Sequence, residues 1–414
     1  MTMKVLVVGH GAREHAIAKS LAKSDVELYA AMGRRNPGIA SLSKGVEIMD
    51  INDTEPYDKF KGVDLAFIGP ESALAAGVTD RLQGLGVEVM GPTRETARLE
   101  WSKAFTREFV EDNGIDGNPA FRVCRSMRDI REFLKIHPDV AVKPDVLTGG
   151  KGVMITGDHL HGASEVEAYA AERIRSDGLV VLEEKLRGDE FTLQAFTDGK
   201  RVEVMPLVRD FKRAYDGDRG PNTGSMGSYS CPDHGLPGLS EASIRKGTEI
   251  MRRTVRKLAD SIDRYKGVLY GGFMETERGV YLIEYNSRFG DPEAMNVLSL
   301  LGNPLLDVGW QIVDGRLSAP VFERKATVCV YVVPDGYPVE PKRDRPVTIN
   351  PPRSSELFFA SVHEEGGEIR TTTSRAIALL AKGASVSEAR ERVYSDVPLI
   401  EGELYHRKDI GAGV

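Results

Sequence analysis

Leu282-Ile283-Glu284-Tyr285-Asn286-Ser287-Arg288-Phe289-Gly290-Asp291-Pro292-Glu293 runs an apolar strand straight into a cluster of charge. Successive strand side chains alternate between faces, so Glu284 and Asn286 leave the same one. A carboxylate and an amide so placed offer hard oxygen donors, which magnesium takes and commonly shares with substrate phosphates. Arg288 follows, able to clamp a substrate carboxylate through its planar fork or to bridge to Asp291 or Glu293. Well upstream, Lys143-Pro144-Asp145-Val146-Leu147-Thr148-Gly149-Gly150-Lys151-Gly152 bares backbone amides at glycines and brings lysines toward an anion from two sides. It is not a Walker A loop, because Gly152 rather than a hydroxyl residue follows Lys151. Its plainer alternative is a hairpin with solvent-facing lysines. Together the two stretches point to an enzyme that spends ATP.

The chain has 414 residues, too many for one ordinary core, so roughly two to four domains are expected. A hydrophobic content of 41% beside 28% charge is that of a soluble globular protein. Apolar runs such as Val5–Val8 are strand-length and far short of a membrane span. No basic segment followed by an apolar stretch opens the chain, and a cytoplasmic enzyme is expected. A formal charge of −7 gives no reason to expect bulk affinity for nucleic acid. Cys124, Cys231 and Cys329 lack metal-site spacing, and the histidines suggest no metal cluster.

The first hundred or so residues read as α/β, with strands at Lys4–Val8, Glu27–Ala30, Leu65–Ile68 and Val87–Met90 and a helix at Ala16–Ala22. Buried, near-continuous apolar strands separated by helices favour a parallel sheet. Two of the strands end alike, at Gly69-Pro70-Glu71 and Gly91-Pro92-Thr93, where open α/β sheets bind ligands. A helical pattern runs from Thr93 to Phe109. Strands Val140–Lys143, Gly152–Ile155 and Leu179–Glu183 then surround the helix Ser164–Ser176. Alternating strands at Glu190–Ala195, Arg201–Pro206, Gly267–Met274 and Val280–Tyr285 suggest an antiparallel sheet, with a surface helix at Glu241–Asp260. The tail opens with strand Ala326–Val333 and closes with a helix around Ser387–Tyr394.

Gly9-x-Gly11 after the first strand permits three readings: an anion at a helix N-terminus with Arg13 adding a contact, a dinucleotide site, or a structural turn. Glu14 in place of a third glycine weakens the dinucleotide reading. Glu183-Glu184-Lys185-Leu186 ends another strand and could meet an adenine edge and ribose hydroxyls, or simply be solvated. The polar stretch Asp210 to Gly227, with Lys212, Asn222, Thr223 and Gly224, reads as a substrate-binding loop or as disordered chain.

Taken together these motifs resemble the phosphoribosylamine–glycine ligase family of the ATP-grasp superfamily. The resemblance runs nearly end to end, from Gly9–His15 to Tyr405-His406-Arg407-Lys408-Asp409-Ile410-Gly411. Its most specific part is Gly220-Pro221-Asn222-Thr223-Gly224 combined with Arg288–Glu293. It implies a multidomain α/β and α+β protein: an N-terminal parallel α/β domain (1–100), a central ATP-grasp domain (101–122 and 187–325), a small lid (123–186) and a C-terminal domain (326–414). It also implies ligation of glycine to 5-phosphoribosylamine through glycyl phosphate, in a monofunctional chain using ATP with Mg2+ or Mn2+. A monomer or weak homodimer, in transient contact with the preceding amidotransferase of purine synthesis, would go with it.

By the same resemblance Glu284 and Asn286 match metal ligands, and Lys103, Lys143, Lys151, Glu183, Glu184, Leu186 and Glu190 match the nucleotide site. Gly11, Arg13, Pro70, Glu71, Asp210, Lys212, Asn222, Thr223, Gly224 and Arg288 match substrate positions, with Arg288, Asp291 and Lys151 in catalytic roles. Departures from the family pattern are Ala12, Pro144, Val146, Thr148 and Ala294-Met295. Pro144 and Val146 should stiffen the lid hinge. The alternative reading is another ATP-grasp carboxylate–amine ligase.

Overall fold

In the computed structural model, which describes residues 2–147 and 152–414, the N-terminal strands form one parallel sheet. Its order is Gly45–Ile48, Val26–Met32, Met3–Val8, Leu65–Ile68, Glu88–Met90. Val5 to Val8 are buried on both faces, which is why this strand reads as unbroken apolar sequence. Strand order reverses at Met3–Val8, so its carboxyl end lies beside that of Leu65–Ile68, and Gly69 N–H donates to the Val8 carbonyl at 3.0 Å. The first helix spans Ala12–Leu21 and starts four residues before the apolar periodicity suggests.

The central unit is an antiparallel sheet ordered Val202–Val204, Asp189–Asp198, Lys266–Thr276, Gly279–Asn286. Helix Glu241–Ser261 covers it with Ile250, Met251, Val255 and Leu258 buried, a stripe of helical spacing. The pairing of the last two strands slips between Gly272 and Phe273, leaving Ile283 as the extra residue of a bulge. The helix expected across Thr93–Phe109 is broken: Arg98–Trp101 ends at Ser102, which caps a new helix, Lys103–Asp112, by accepting from Phe105 N–H at 3.1 Å.

A smaller antiparallel sheet, ordered Phe121–Cys124, Val180–Glu184, Val140–Pro144, Met154–Ile155, carries helices Met127–Leu134 and Ala163–Asp177. Its core of Cys124, Ile130, Val142, Val166 and Leu182 is separate from the others, as a unit able to move on its own requires. Lys151, with Thr148, Gly149 and Gly150, lies outside the described residues.

The C-terminal sheet centres on Ala326–Pro334, flanked by Gly227–Ser230 and Ile377–Gly383. Gly227–Ser230 and its neighbour Arg209–Asp210 come from the segment assigned above to the central domain. The polar loop between them therefore springs from the C-terminal sheet, which sequence order does not suggest. Among the described residues no helix is long and apolar enough to cross a membrane.

Candidate active site

Strand Gly279–Asn286 delivers Glu284 and Asn286 beyond the bulge, both half-buried and on one face. Burial raises the Glu284 carboxyl, but Lys103, Lys143, Lys212 and Arg288 outweigh it and keep the group below its ordinary range. Asn286 Oδ1 accepts from Arg288 Nη2 at 3.1 Å. An ionised carboxylate beside an amide oxygen suits a hard cation that completes its shell with phosphate oxygens. The described group of three ligating side chains, Asp344, His363 and Glu365, lies instead in the C-terminal domain, with both carboxylates exposed.

The bulge has a second effect: the freed Ile283 carbonyl accepts from Lys143 Nζ at 3.0 Å and from Arg107 Nη2 at 2.6 Å. Both cations converge on Glu183, with Lys143 at 2.8 Å and Arg107 paired through Nε and Nη2 at 2.7 and 2.9 Å. Burial pushes the Lys143 ammonium down, and Glu183 pulls against it. Glu183 is 3% exposed and is the counter-charge of a buried triad. Glu184 accepts from Arg278 and from Ala120 N–H, while its own amide and that of Lys185 donate to the Ala120 and Asp139 carbonyls. Leu186, which ends this run, is half-buried, with Glu190 exposed just beyond. Arg107, missed in the sequence, sits one helical turn after Lys103, a spacing that could have revealed it.

Arg288 is not tied to Asp291 or Glu293. Its guanidinium meets Glu71 at 3.1 Å and Glu100 at 2.9 Å, and donates to the Phe289 carbonyl at 3.2 Å. Burial raises the Glu71 carboxyl, yet Arg288 and then Arg13 bring it down to about 2. Glu100, a second residue missed, also accepts from Ser287 N–H at 2.7 Å, fixing the turn after the strand that bears Glu284 and Asn286.

The Gly9 turn differs from the anion site expected. Glu14 folds back so that Oε2 accepts from Gly11 N–H at 2.6 Å while Oε1 accepts from Arg13 Nε at 2.6 Å. A Cβ on Gly9, Gly11 or Gly69 would stand 2.6, 2.8 or 2.2 Å from Glu14 atoms, so these glycines make room for a carboxylate of the protein itself. Arg13, buried, spends another donor on the Phe289 carbonyl at 3.2 Å. Pro70 caps the short helix Glu71–Ala76, which carries Glu71 to the same place.

Asp291 accepts from the Tyr331 hydroxyl and pairs with Arg375 at 3.2 Å. Arg375 also donates to the Gly224 and Ser225 carbonyls, joining the polar loop to the Asp291 turn. That loop is ordered, as a short ribbon of Arg213–Tyr215 with Arg219–Asn222. Buried Arg407 reaches it from the tail, donating to the Arg213 carbonyl at 2.9 Å and pairing with Asp218 at 2.9 Å. Lys212, Asn222 and Thr223 thus stand together on this ribbon, between Asp210 and Gly224, with Lys212 3.5 Å from Glu190 and Thr223 Oγ1 donating to the Lys212 carbonyl.

Three family models cover most of the chain: phosphoribosylglycinamide synthetase N domain at residues 3–100, its ATP-grasp (A) domain at 101–294 and its C domain at 327–413. A phosphoribosylamine–glycine ligase of Methanoregula boonei is 47% identical over 99% of this chain and 96% of its own. That of Thermococcus gammatolerans is 45% identical over 99% and 94%. The crystal structure of the Thermotoga maritima phosphoribosylamine–glycine ligase superposes with a TM-score of 0.86 at 31% identity, covering 99% of this chain and 100% of that one. A biotin carboxylase of Campylobacter jejuni shares the fold at 12% identity, with a TM-score of 0.75 over 100% and 94%.

Proposed function

From the premise that this chain belongs to the phosphoribosylamine–glycine ligase family, we propose how its residues divide one reaction among them. The chain is an ATP-dependent carbon–nitrogen ligase that joins glycine to 5-phosphoribosylamine, giving glycinamide ribonucleotide, ADP and phosphate. A carboxylate is a poor electrophile, so the γ-phosphoryl group first passes to a glycine carboxylate oxygen and ADP departs. The amine nitrogen then attacks the acyl carbon, the C–O bond to phosphate breaks, and the nitrogen gives up a proton. Little side-chain acid–base chemistry is needed; positioning and charge neutralisation dominate.

In this reading Glu284 and Asn286 hold Mg2+ or Mn2+, whose charge offsets that of the triphosphate. Lys103 and Lys212 approach Glu284 closely enough to hold it ionised and are placed to meet phosphate oxygens. Lys143 anchors the lid sheet to the Ile283 carbonyl. Arg288 receives the glycine carboxylate by releasing Glu71, the more exposed of its two carboxylate partners at 29% against 6%. One observation carries the assignment: the strand bearing Glu284 and Asn286 turns directly into Arg288, which touches Asn286 on one side and Glu71, on the wall of the neighbouring cavity, on the other. Nucleotide and amine therefore meet at one turn. Omitting ATP, divalent metal, glycine and fresh phosphoribosylamine in turn, while measuring ADP, tests it. ADP release should require all four, and release without glycine or amine would reject the reading.

A further inference from the structure

A cavity of about 400 Å³ lies between the N-terminal and C-terminal domains, lined by Arg13, Arg34, Glu71, Asp291, Ser361 and Arg375 among others. Its three arginines are not equivalent. Arg13 is neutralised by Glu14 at 2.6 Å, and Arg375 by Asp291 at 3.2 Å. Arg34 has no carboxylate partner among the described residues; its Nη2 donates to the Ser361 hydroxyl at 2.8 Å. Half-buried and facing only a neutral group, it leaves uncompensated positive charge at one end of the cavity. The cavity's carboxylates Glu71 and Asp291 are each paired already, Glu71 with Arg288 and Asp291 with Arg375.

The Arg34 end is also built to hold its shape. Asn36 donates to the His10 and Phe359 carbonyls at 2.9 and 2.8 Å, tying the two domains together beside Arg34. His15 Nδ1 accepts from Phe359 N–H at 2.9 Å. Ser361 Oγ lies 2.7 Å from Thr372 Oγ1, which also accepts from Ser374 N–H at 3.2 Å. The Gly11 amide, by contrast, is filled by Glu14, so the nearby turn does not offer it to an anion.

We propose that Arg34, with the Ser361 hydroxyl, binds the phosphate of phosphoribosylamine across the N- and C-terminal domains and selects a phosphorylated amine over an unphosphorylated one. The inference rests on the ligase reading above. A dianionic phosphate would take the free N–H groups of Arg34 in charge-assisted bonds, with the ribose lying toward Asp291 and the amine toward the reacting carboxylate.

Steady-state kinetics at saturating ATP and glycine test it, with ribose 5-phosphate, ribose and inorganic phosphate as inhibitors. Arg34→Ala should raise KM for phosphoribosylamine about 10- to 100-fold, leaving KM for ATP and glycine in place. Arg34→Lys should recover part of the loss, and Ser361→Ala should show a smaller rise. Ribose 5-phosphate should compete in the unaltered enzyme far better than ribose, and that preference should vanish in Arg34→Ala. An unchanged KM for the amine in Arg34→Ala would overturn the proposal, as would equal inhibition of the unaltered enzyme by ribose and ribose 5-phosphate. Inhibition by inorganic phosphate that Arg34→Ala does not relieve would place the anion elsewhere and also overturn it. ADP formation by the unaltered enzyme that ignores the amine would instead defeat the ligase reading itself.

Discussion

Around Glu183 the protein ties its charges to one another: Arg107 and Lys143 share one buried carboxylate, and the Ile283 carbonyl takes the donors left over. At Arg34 it does not, and a cation faces a cavity with a hydroxyl for company. The first arrangement joins the lid sheet to helix Lys103–Asp112 and the bulged strand, and breaking it should cost stability. The second stores electrostatic attraction for something that arrives later. A cation held by a buried carboxylate marks architecture, and one with no carboxylate partner marks a place for a ligand.

The contrast can be broken most sharply at its paired end. Glu183→Gln leaves two buried cations without their counter-charge and should lower stability by about 3–5 kcal/mol in denaturant unfolding. Adding Arg107→Met should restore part of it, and a single variant as stable as the parent would show that the triad is not structural. Next, Glu284→Ala should cut kcat by roughly 100- to 1,000-fold with the circular dichroism spectrum unchanged. Turnover at the parent rate would remove Glu284 from metal binding.

The third test lies in the seam beside Arg34, where the effect per pH unit is small. Burial, aided by Lys19, pushes the His15 imidazole down to about 3 from its ordinary 6.5, and its Nδ1 accepts from Phe359 N–H. Below pH 6.5 the unfolded chain takes up a proton that the folded one refuses. His15 therefore contributes stability that is intact above pH 6.5 and drains away as pH falls toward about 3, by about 1 kcal/mol per pH unit. His15→Gln should show a shallower acid slope in denaturation midpoints between pH 7 and pH 4, and identical slopes would exclude this source.

Much of the scaffold was legible because it is written in local periodicity. Leu65–Ile68 occurs as expected, and Glu284 and Asn286 keep their common face because the bulge precedes both. What stayed hidden depends on partners far along the chain. The expected helix across Thr93–Phe109 concealed the break at Ser102, and with it Glu100 and Arg107, whose charged partners Arg288 and Glu183 lie far along the chain. In the sequence Glu183 is a strand-end carboxylate, which says nothing about the two cations folded onto it. Glu14 explains Gly9, Gly11 and Gly69 together, yet one of the three stands on a different strand's end. Arg34 and Arg375 draw their meaning from a cavity between domains, which no sequence window contains.

The grip of Arg407 on the ribbon near Asp218 has a consequence for how the molecule is made. A ribosome produces the polar loop well before the clasp that shapes it, which follows 189 residues later. Until then the ribbon has lost its anchor while most sheets already have their strands. A product cut short just before Arg407 would therefore carry most of the sheets while its ribbon lacked this clasp.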